Sequence, residues 1–218
     1  MTNWYDWFTS NVDESGDSIA SAHYDSERSF YIRQQVVYDW LGDISGKTIL
    51  DVGVATGHFC ESLTKHNRVI GVDFVPKMLQ YAAKKDILPI QADGMILPLP
   101  KQSIDVIVCV GVLQHIDDVD NFLAELLRVR KSGGELYLIT LNADSLIRKL
   151  YYALPQNTET MHTYQIPDLI KRIQRIVPLA TVEAATIYYP FPGYRRVGQQ
   201  AGIQRYLSTV LAIRVSGA

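Results

Sequence analysis

The sequence predicts an α/β fold, an open and mostly parallel sheet wound on both faces by helices and preceded by a helical arm. Three observations carry the prediction. Short apolar runs alternate with amphipathic helical patterns from residue 47 onward, joined by short loops. The run IDVIVCVGV at 104–112 is β-branched and apolar along nearly its whole length, as a strand buried on both faces must be. The first run, TILDV at 48–52, leads straight into a glycine-containing turn, which suits a strand whose carboxyl end meets a ligand.

Taken in order, residues 1–40 read as a helical arm outside the core. Strands follow at 48–52 and 68–73, the latter RVIGVD. Pro76 stands at a helix-start position, with Met78, Leu79, Ala82 and Ala83 on one face. After the strand at 104–112, DDVDNFLAELLRVRKSGG places Phe122, Leu126 and Val129 at i, i+4 and i+7. Basic residues fill its last turn and Gly133 is the expected stop. ELYLITL at 135–141 is the next strand. Residues 142–166 form an insertion on the substrate side, and Pro167 and Asp168 then open a helix with Leu169, Ile173, Ile176 and Val177 inward. The last two strands, 181–189 and 208–215, leave no room for a helix of ordinary length, so they pair as an antiparallel hairpin at one edge. Neither a repeat nor a linker interrupts the chain, so residues 1–218 read as a single domain.

The totals narrow the function. The chain has 218 residues, 47% apolar and 20% charged, enough for one full core. A net charge of −2 gives no overall reason to expect nucleic acid. The charge is uneven, however. Residues 1–46 carry eight acids and two bases, while residues 165–218 carry seven bases and two acids. Arg172, Arg175, Arg195, Arg196 and Arg205 would form the phosphate patch of a nucleic-acid enzyme, a thin alternative. The start lacks a secretory pattern and no apolar run is long enough to span a membrane. Cys60 and Cys109 have no metal or redox spacing and read as buried free thiols, so a cytoplasmic location is expected and no metal is.

The glycine loop, ILDVGVATGHF at 49–59, decides the ligand class. Gly53 permits the tight turn, Gly57 lets the following helix start close to the ligand, and Asp73 ends the next strand 22 residues after Asp51. A carboxylate there suits ribose hydroxyls, so an adenosine-type ligand is indicated. A phosphate loop is excluded because no Gly-Lys-Ser/Thr follows. A nicotinamide or flavin dinucleotide fits poorly, since the third glycine position holds His58. From Leu50 to Ser62 there is no lysine or arginine, which suits a cationic ligand better than a pyrophosphate.

With VIGVDFVPKML, QADGMILPLP and IDVIVCVGVLQHIDDVDNFLAELLRVRKSGGELYLI, the glycine loop completes four motifs in order. Together they resemble the class I S-adenosylmethionine (SAM)-dependent methyltransferases of the small-molecule branch. The resemblance is close over residues 47 to 141. It implies a seven-stranded Rossmann-like sheet, SAM as cofactor and S-adenosylhomocysteine as product. It further implies that Gly53, Ala55 and Gly57 line the methionine part and that Asp51 meets its amino group. Asp73 would hold the ribose, Phe74 would pack on the adenine, and Asp93 and Gly94 would face the adenine amine and ring. Val110 and Gly111 would lie beside the sulfonium, and Met78, Tyr24 and Arg33 would reach the cofactor. Val54-Ala55 depart from the Cys-Gly pair common at that point.

On the acceptor side, methyl transfer needs alignment and exclusion of water, with a base as an optional addition. His115, after the fourth motif strand, and His162, in the insertion, are the candidate bases; His23 could also face the pocket, while His58 and His66 read as structural. Aromatic residues cluster at the two ends of the chain, nine in residues 1–40 and eight in residues 150–218, against five between. Trp4, Tyr5, Trp7, Phe8, Tyr24, Phe30 and Tyr31 in the arm, with Tyr151, Tyr152, Tyr164, Tyr188, Tyr189, Phe191 and Tyr194 later, would line a pocket for a small organic acceptor. No Asn-Pro-Pro-Tyr-type tetrapeptide follows Gly111, so methylation at oxygen is expected over N- or C-methylation. Binding without turnover is the other alternative, and oligomeric state is left open.

Overall fold

The computed structural model describes residues 3–217 except 23, 25, 155–160, 189–194 and 199–203. Its sheet contains β1 (Thr48–Val52), β2 (Arg68–Asp73), β3 (Leu88–Gln91), β4 (Ile104–Val110), β5 (Arg130–Leu141), β6 (Thr181–Tyr188), β7 (Arg195–Gly198) and β8 (Val210–Ser216). The order across it is β3-β2-β1-β4-β5-β8-β6-β7. β1 to β5 pair in parallel, and β8 is antiparallel to both β5 and β6. The expected antiparallel pairing of the last two apolar runs is present, and β8 lies inside the sheet between β5 and β6. β7 is an eighth strand added to the β6 edge. It and β3 do not show as apolar runs: β3, LPIQ, is largely exposed, and its Pro89 is tolerated there because an outer strand leaves one row of N–H groups unpaired.

Alternation along the strands sends side chains into two apolar layers. Leu50, Val52, Ile107, Cys109, Leu136, Leu138, Leu211 and Ile213 point to one face. There they meet Phe122, Leu123 and Leu126 of α4 (Val119–Val129) and Leu169 and Ile173 of α6 (Ile166–Ile176). Ile49, Val106, Val108, Tyr137, Ile139 and Ala212 point to the other. Their partners are Phe30, Val36 and Val37 of α2 (Glu27–Leu41) and Leu79 and Ala82 of α3 (Pro76–Ala83). Covering on both faces is why these strands are apolar at consecutive positions. Each helix has a local cause. Ser26 and Asp118 cap α2 and α4 by accepting the N–H of Ser29 and Asn121, and Pro76 occupies the first turn of α3.

Three local expectations change. α4 stops at Val129 rather than running to Gly133, because Arg130 is already a strand residue opposite Ile104. Residues 131–134 then bulge out, with Gly133 at φ 73°, before pairing resumes at Val106 and Glu135. Of the expected inward face of α6, Ile176 is exposed. After the glycine loop the chain makes only a short 3₁₀ turn, Glu61–Lys65, in place of the expected helix. α2 supplies the reason: Gln34 donates to the carbonyls of His58 and Phe59, and the Tyr38 hydroxyl also donates to Phe59. Those acceptors are taken before a helix could use them.

The arm is α1 (Trp4–Ser15), a 3₁₀ turn (Ile19–Ala22) and α2. α2 belongs to the core, whereas α1 rests on a small separate cluster. There Val12 and Phe8 meet Ala55 of the glycine loop and Val75 and Met78 at α3. The ion pair Asp13–Lys77 ties it to the same helix, and Asp17–Lys85 (2.6 Å) joins the segments just past the ends of the two helices. The first is largely exposed and adds little, so the buried Val12 and its neighbours hold α1 down.

Candidate active site

A cavity of about 350 Å³ opens at the carboxyl ends of β1, β2 and β4, under the arm. Its floor is built by backbone geometry. Gly53 turns sharply at φ 76° and donates its N–H to Val72 O at 2.8 Å, and Val54 donates to the same oxygen at 3.0 Å. A Cβ on Gly53 would lie 2.2 Å from Val112 Cγ2, so only glycine fits between these two strand ends. Ala55 adopts φ 47°, a left-handed conformation that costs an L-residue about 1–2 kcal/mol. The departure from glycine noted in the sequence is therefore a matter of handedness rather than size.

Two carboxylates border the cavity, and their environments differ. Asp73 accepts the N–H of Ala55 at 2.9 Å with one oxygen and the N–H of Val75 at 3.0 Å with the other. It clamps the glycine loop to the start of α3, and its remaining lone pairs stay open to a ligand. Burial raises its pKa despite those bonds. Asp51, also buried, has an Oδ2 with no hydrogen-bond partner. Desolvation pushes its pKa up to about 7, opposed by a bond from the Cys60 thiol and reinforced by the charge of Asp73. Asp51 is thus a carboxylate in want of a positive partner. Among the described residues no lysine or arginine lines the cavity.

The structure brings Tyr24, Asp51, Gly53, Ala55, Gly57, Asp73, Phe74, Met78, Asp93, Gly94, Val110 and Gly111 to one cavity. Arg33 stands behind it, its guanidinium 5.1 Å from the centre of the Tyr24 ring. Asp93 accepts the N–H of Met95 at 2.9 Å, and a Cβ on Gly94 would press on Phe122 at 2.7 Å. Of the candidate bases, His115 lines the cavity, its ring centre 4.1 Å from that of Trp4 and 5.5 Å from that of Phe8. His162 does not. Its ring sits half-exposed against Asp117 at 2.9 Å, held there because its backbone N–H donates to Gln114 O. His23 lies outside the described residues.

Among the described residues the aromatic roof comes from the arm, through Trp4, Phe8, Tyr24 and Phe30, while Tyr5, Trp7 and Tyr31 of the same arm do not line the cavity. Two of the later rings expected there are elsewhere: Tyr164 is buried with its hydroxyl on Leu113 O at 3.0 Å, and Tyr151 faces outward. Tyr189, Phe191 and Tyr194 and the side chains of Tyr152 and Tyr188 lie outside the described residues. Ile19, Ala22 and His58 also border the cavity and carry no signal in the sequence. His58 is 3.1 Å from Asp17, where the arm turns back over the loop. Arg172 of the suggested phosphate patch is instead paired with Asp120 and Asp168.

Comparison with known proteins places this geometry. Residues 50–138 match the model of a methyltransferase domain family. The demethylmenaquinone methyltransferase of Thermobifida fusca is 37% identical over 102 residues, 43% of each chain. The ubiquinone biosynthesis O-methyltransferase of Rhodopseudomonas palustris is 27% identical over 169 residues, 69% of this chain and 65% of that one. The chain therefore spans about two fifths to two thirds of the length of these relatives. In fold it resembles a SAM-dependent methyltransferase, possible histamine N-methyltransferase, from Thermotoga maritima, with a TM-score of 0.77 and 18% identity across 98% of this chain and 99% of that one. The ordered motifs, the sheet and these matches agree: residues 50–138 match a methyltransferase domain, and the fold is that of the SAM-dependent methyltransferases.

Proposed function

We propose that the protein transfers a methyl group from SAM to an oxygen of a small, largely apolar organic acceptor. The observation that carries this reading is the charge pattern of the cavity. Two buried carboxylates, one with an unpaired oxygen, border a glycine loop, and no cationic side chain is among the described lining residues. Such a site rejects a pyrophosphate and favours a ligand with an ammonium and a sulfonium. In this reading Asp51 takes the ammonium, Asp73 the ribose hydroxyls, and Phe74, Asp93 and Gly94 the adenine. Met78 and Tyr24 pack alongside, with Arg33 supporting Tyr24. Val110 and Gly111 flank the reacting end. SAM supplies a methyl group activated on a positive sulfur.

The chain's own residues do the rest. The arm, residues 1–40, acts as a lid: Trp4 and Phe8 exclude water and hold the acceptor against the floor. His115, at the edge of that roof, is placed to take the hydroxyl proton as the oxygen–carbon bond forms. Residues 142–166 form the outer wall of the acceptor side within one domain. Relatives named for demethylmenaquinone and for ubiquinone biosynthesis support an acceptor with an apolar ring. The test is methyl transfer from labelled SAM to a panel of phenols, hydroquinones and amines, with Asp51→Asn as control. Transfer to hydroxyls that the variant abolishes supports the reading. Transfer to amines alone, or cofactor binding with no transfer to any acceptor, overturns it.

A further inference from the structure

We propose that the side-chain amide of Gln114 is the polar anchor for the acceptor, holding a neutral hydroxyl of the substrate beside Gly111. The proposal deepens the methyl-transfer reading above and rests on it. Gln114 lies in the short 3₁₀ turn Leu113–His115 that follows β4. The main chain of that turn is fixed from several sides. His115 N–H donates to Val112 O at 2.9 Å, and Ile116 N–H to Leu113 O at 3.2 Å. Leu113 O also accepts the Tyr164 hydroxyl. Beyond α5 (Leu146–Tyr152) the chain comes back to the turn, where Gln114 O accepts the His162 N–H at 2.8 Å.

The side chain is left out of this network. Gln114 is only 7% exposed, and its Oε1 is buried without a hydrogen-bond partner. Turning the amide over exchanges oxygen for nitrogen and leaves the same position unpaired. A buried polar atom in that state has lost its water with nothing in return. Other buried amides of this fold are satisfied. Asn142, just past β5, donates to Ser208 O at 2.9 Å and accepts the Asp144 N–H at 3.1 Å. Gln34 donates to two carbonyls of the glycine-loop segment. The turn therefore holds a rigidly mounted amide whose partner comes from outside the chain.

Its position says which partner. Gly111, Val112, His115 and Ile116, on either side of Gln114 in the chain, line the cavity. A Cβ placed on Gly111 would lie 3.7 Å from Gln114 Nε2, with no other non-neighbouring atom of the described residues within 4 Å. A Cβ on Gly57, by contrast, would press on Ile87 at 2.9 Å. The missing side chain of Gly111 thus leaves open space between the cavity wall and the amide. An amide offers one acceptor and two donors. A hydroxyl can give a proton to Oε1 and take one from Nε2. A carboxylate has no proton to give, and Asp51 and Asp73 border the same cavity and repel it. An ammonium has no lone pair for Nε2. A neutral hydroxyl on an apolar body fits all three constraints, and Gln114 presents its oxygen to the reacting end while His115, the next residue, remains the base.

Phenol and toluene, alike in shape and different by one hydroxyl, test this without any methyl transfer. Their affinities for protein saturated with S-adenosylhomocysteine are measured by NMR titration. The phenol-to-toluene affinity ratio should fall about tenfold or more in Gln114→Met, because a site built for a hydroxyl discriminates strongly against its absence. In wild type the Gln114 side-chain amide signals should shift with phenol and not with toluene, a readout that needs no variant. Urea unfolding of the ligand-free proteins should give Gln114→Met a midpoint at or above that of wild type, since an unpaired buried oxygen has been removed. An unchanged affinity ratio, amide signals that ignore phenol, or a clearly lower midpoint each overturns the proposal, the last by showing that the amide supports the fold. If S-adenosylhomocysteine does not bind, the methyl-transfer reading falls. The same titrations on ligand-free protein then decide Gln114 separately.

Discussion

Replacing Asp51 by asparagine should make the ligand-free protein more stable as pH rises, while removing its grip on the cofactor. The native carboxyl titrates near pH 7, against 3.8 for an unperturbed one. Between those values the native state holds a proton that the unfolded chain has released. The stability this contributes is fully present below about pH 4 and is lost as pH climbs through 7. Three units at about 1.4 kcal/mol each make the swing roughly 4 kcal/mol. Asparagine keeps the shape and can still accept the Cys60 thiol, but it does not titrate. It leaves an amide group unsatisfied at every pH, a constant cost of about 1–3 kcal/mol. The variant-minus-wild-type difference in unfolding free energy should therefore rise by about 3 kcal/mol from pH 5 to pH 8. Urea unfolding at a series of pH values, without cofactor, measures this directly. Parallel curves for the two proteins across that range would refute the argument that Asp51 is a buried charge awaiting a cation.

The same titration should appear in binding: SAM affinity should weaken as pH falls below about 7, approaching tenfold per unit. Calorimetry between pH 5.5 and 7.5, below the ionisation of an α-amino group, would show a flat profile if Asp51 does not hold the ammonium. Ala55→Gly should stabilise the fold by about 1 kcal/mol, since glycine adopts φ 47° freely; an unchanged or lower midpoint in urea counts against strain at this site. Gly53→Ala should destabilise by about 1–3 kcal/mol and abolish cofactor binding, because its Cβ would overlap Val112. Wild-type affinity in that variant would show that the loop adapts. Amides of α1 should gain hydrogen-exchange protection when SAM is added, since one small cluster holds that helix; equal exchange with and without SAM argues against a lid.

The parts of this fold that the sequence makes legible are those where one physical cause acts alone. β1, β2, β4 and β5 are buried on both faces, so their apolar runs stand out. The turn at Gly53 needs a residue without a Cβ, and the sequence displays one. Legibility fails where two causes compete. β3 is an outer strand with a proline, and nothing apolar marks it. Arg130 looks like the last turn of α4 because basic residues favour a helix end, yet its pairing with Ile104 makes it strand. The missing helix after Gly57 is decided by Gln34 and Tyr38, some 20 residues away in the chain. At the candidate site the motif residues converge as their order implies. The roof was harder to assign: aromatic counts point to both ends of the chain, and only packing shows Trp4 and Phe8 over the cavity while Tyr151 faces outward.

The position of β8 bears on assembly. Of the described strands of this sheet, residues 210–216 are made last, yet they form the seam between β5 and β6 rather than an outer rim. Until they emerge, β6 and β7 have no attachment to the parallel half of the sheet, and β5 presents an unpaired edge, the kind of surface that recruits other chains. Closure joins segments far apart in sequence, which is slow. The parallel half, glycine loop included, can thus condense first and wait, with the final strand acting as a zipper that commits the whole sheet at once.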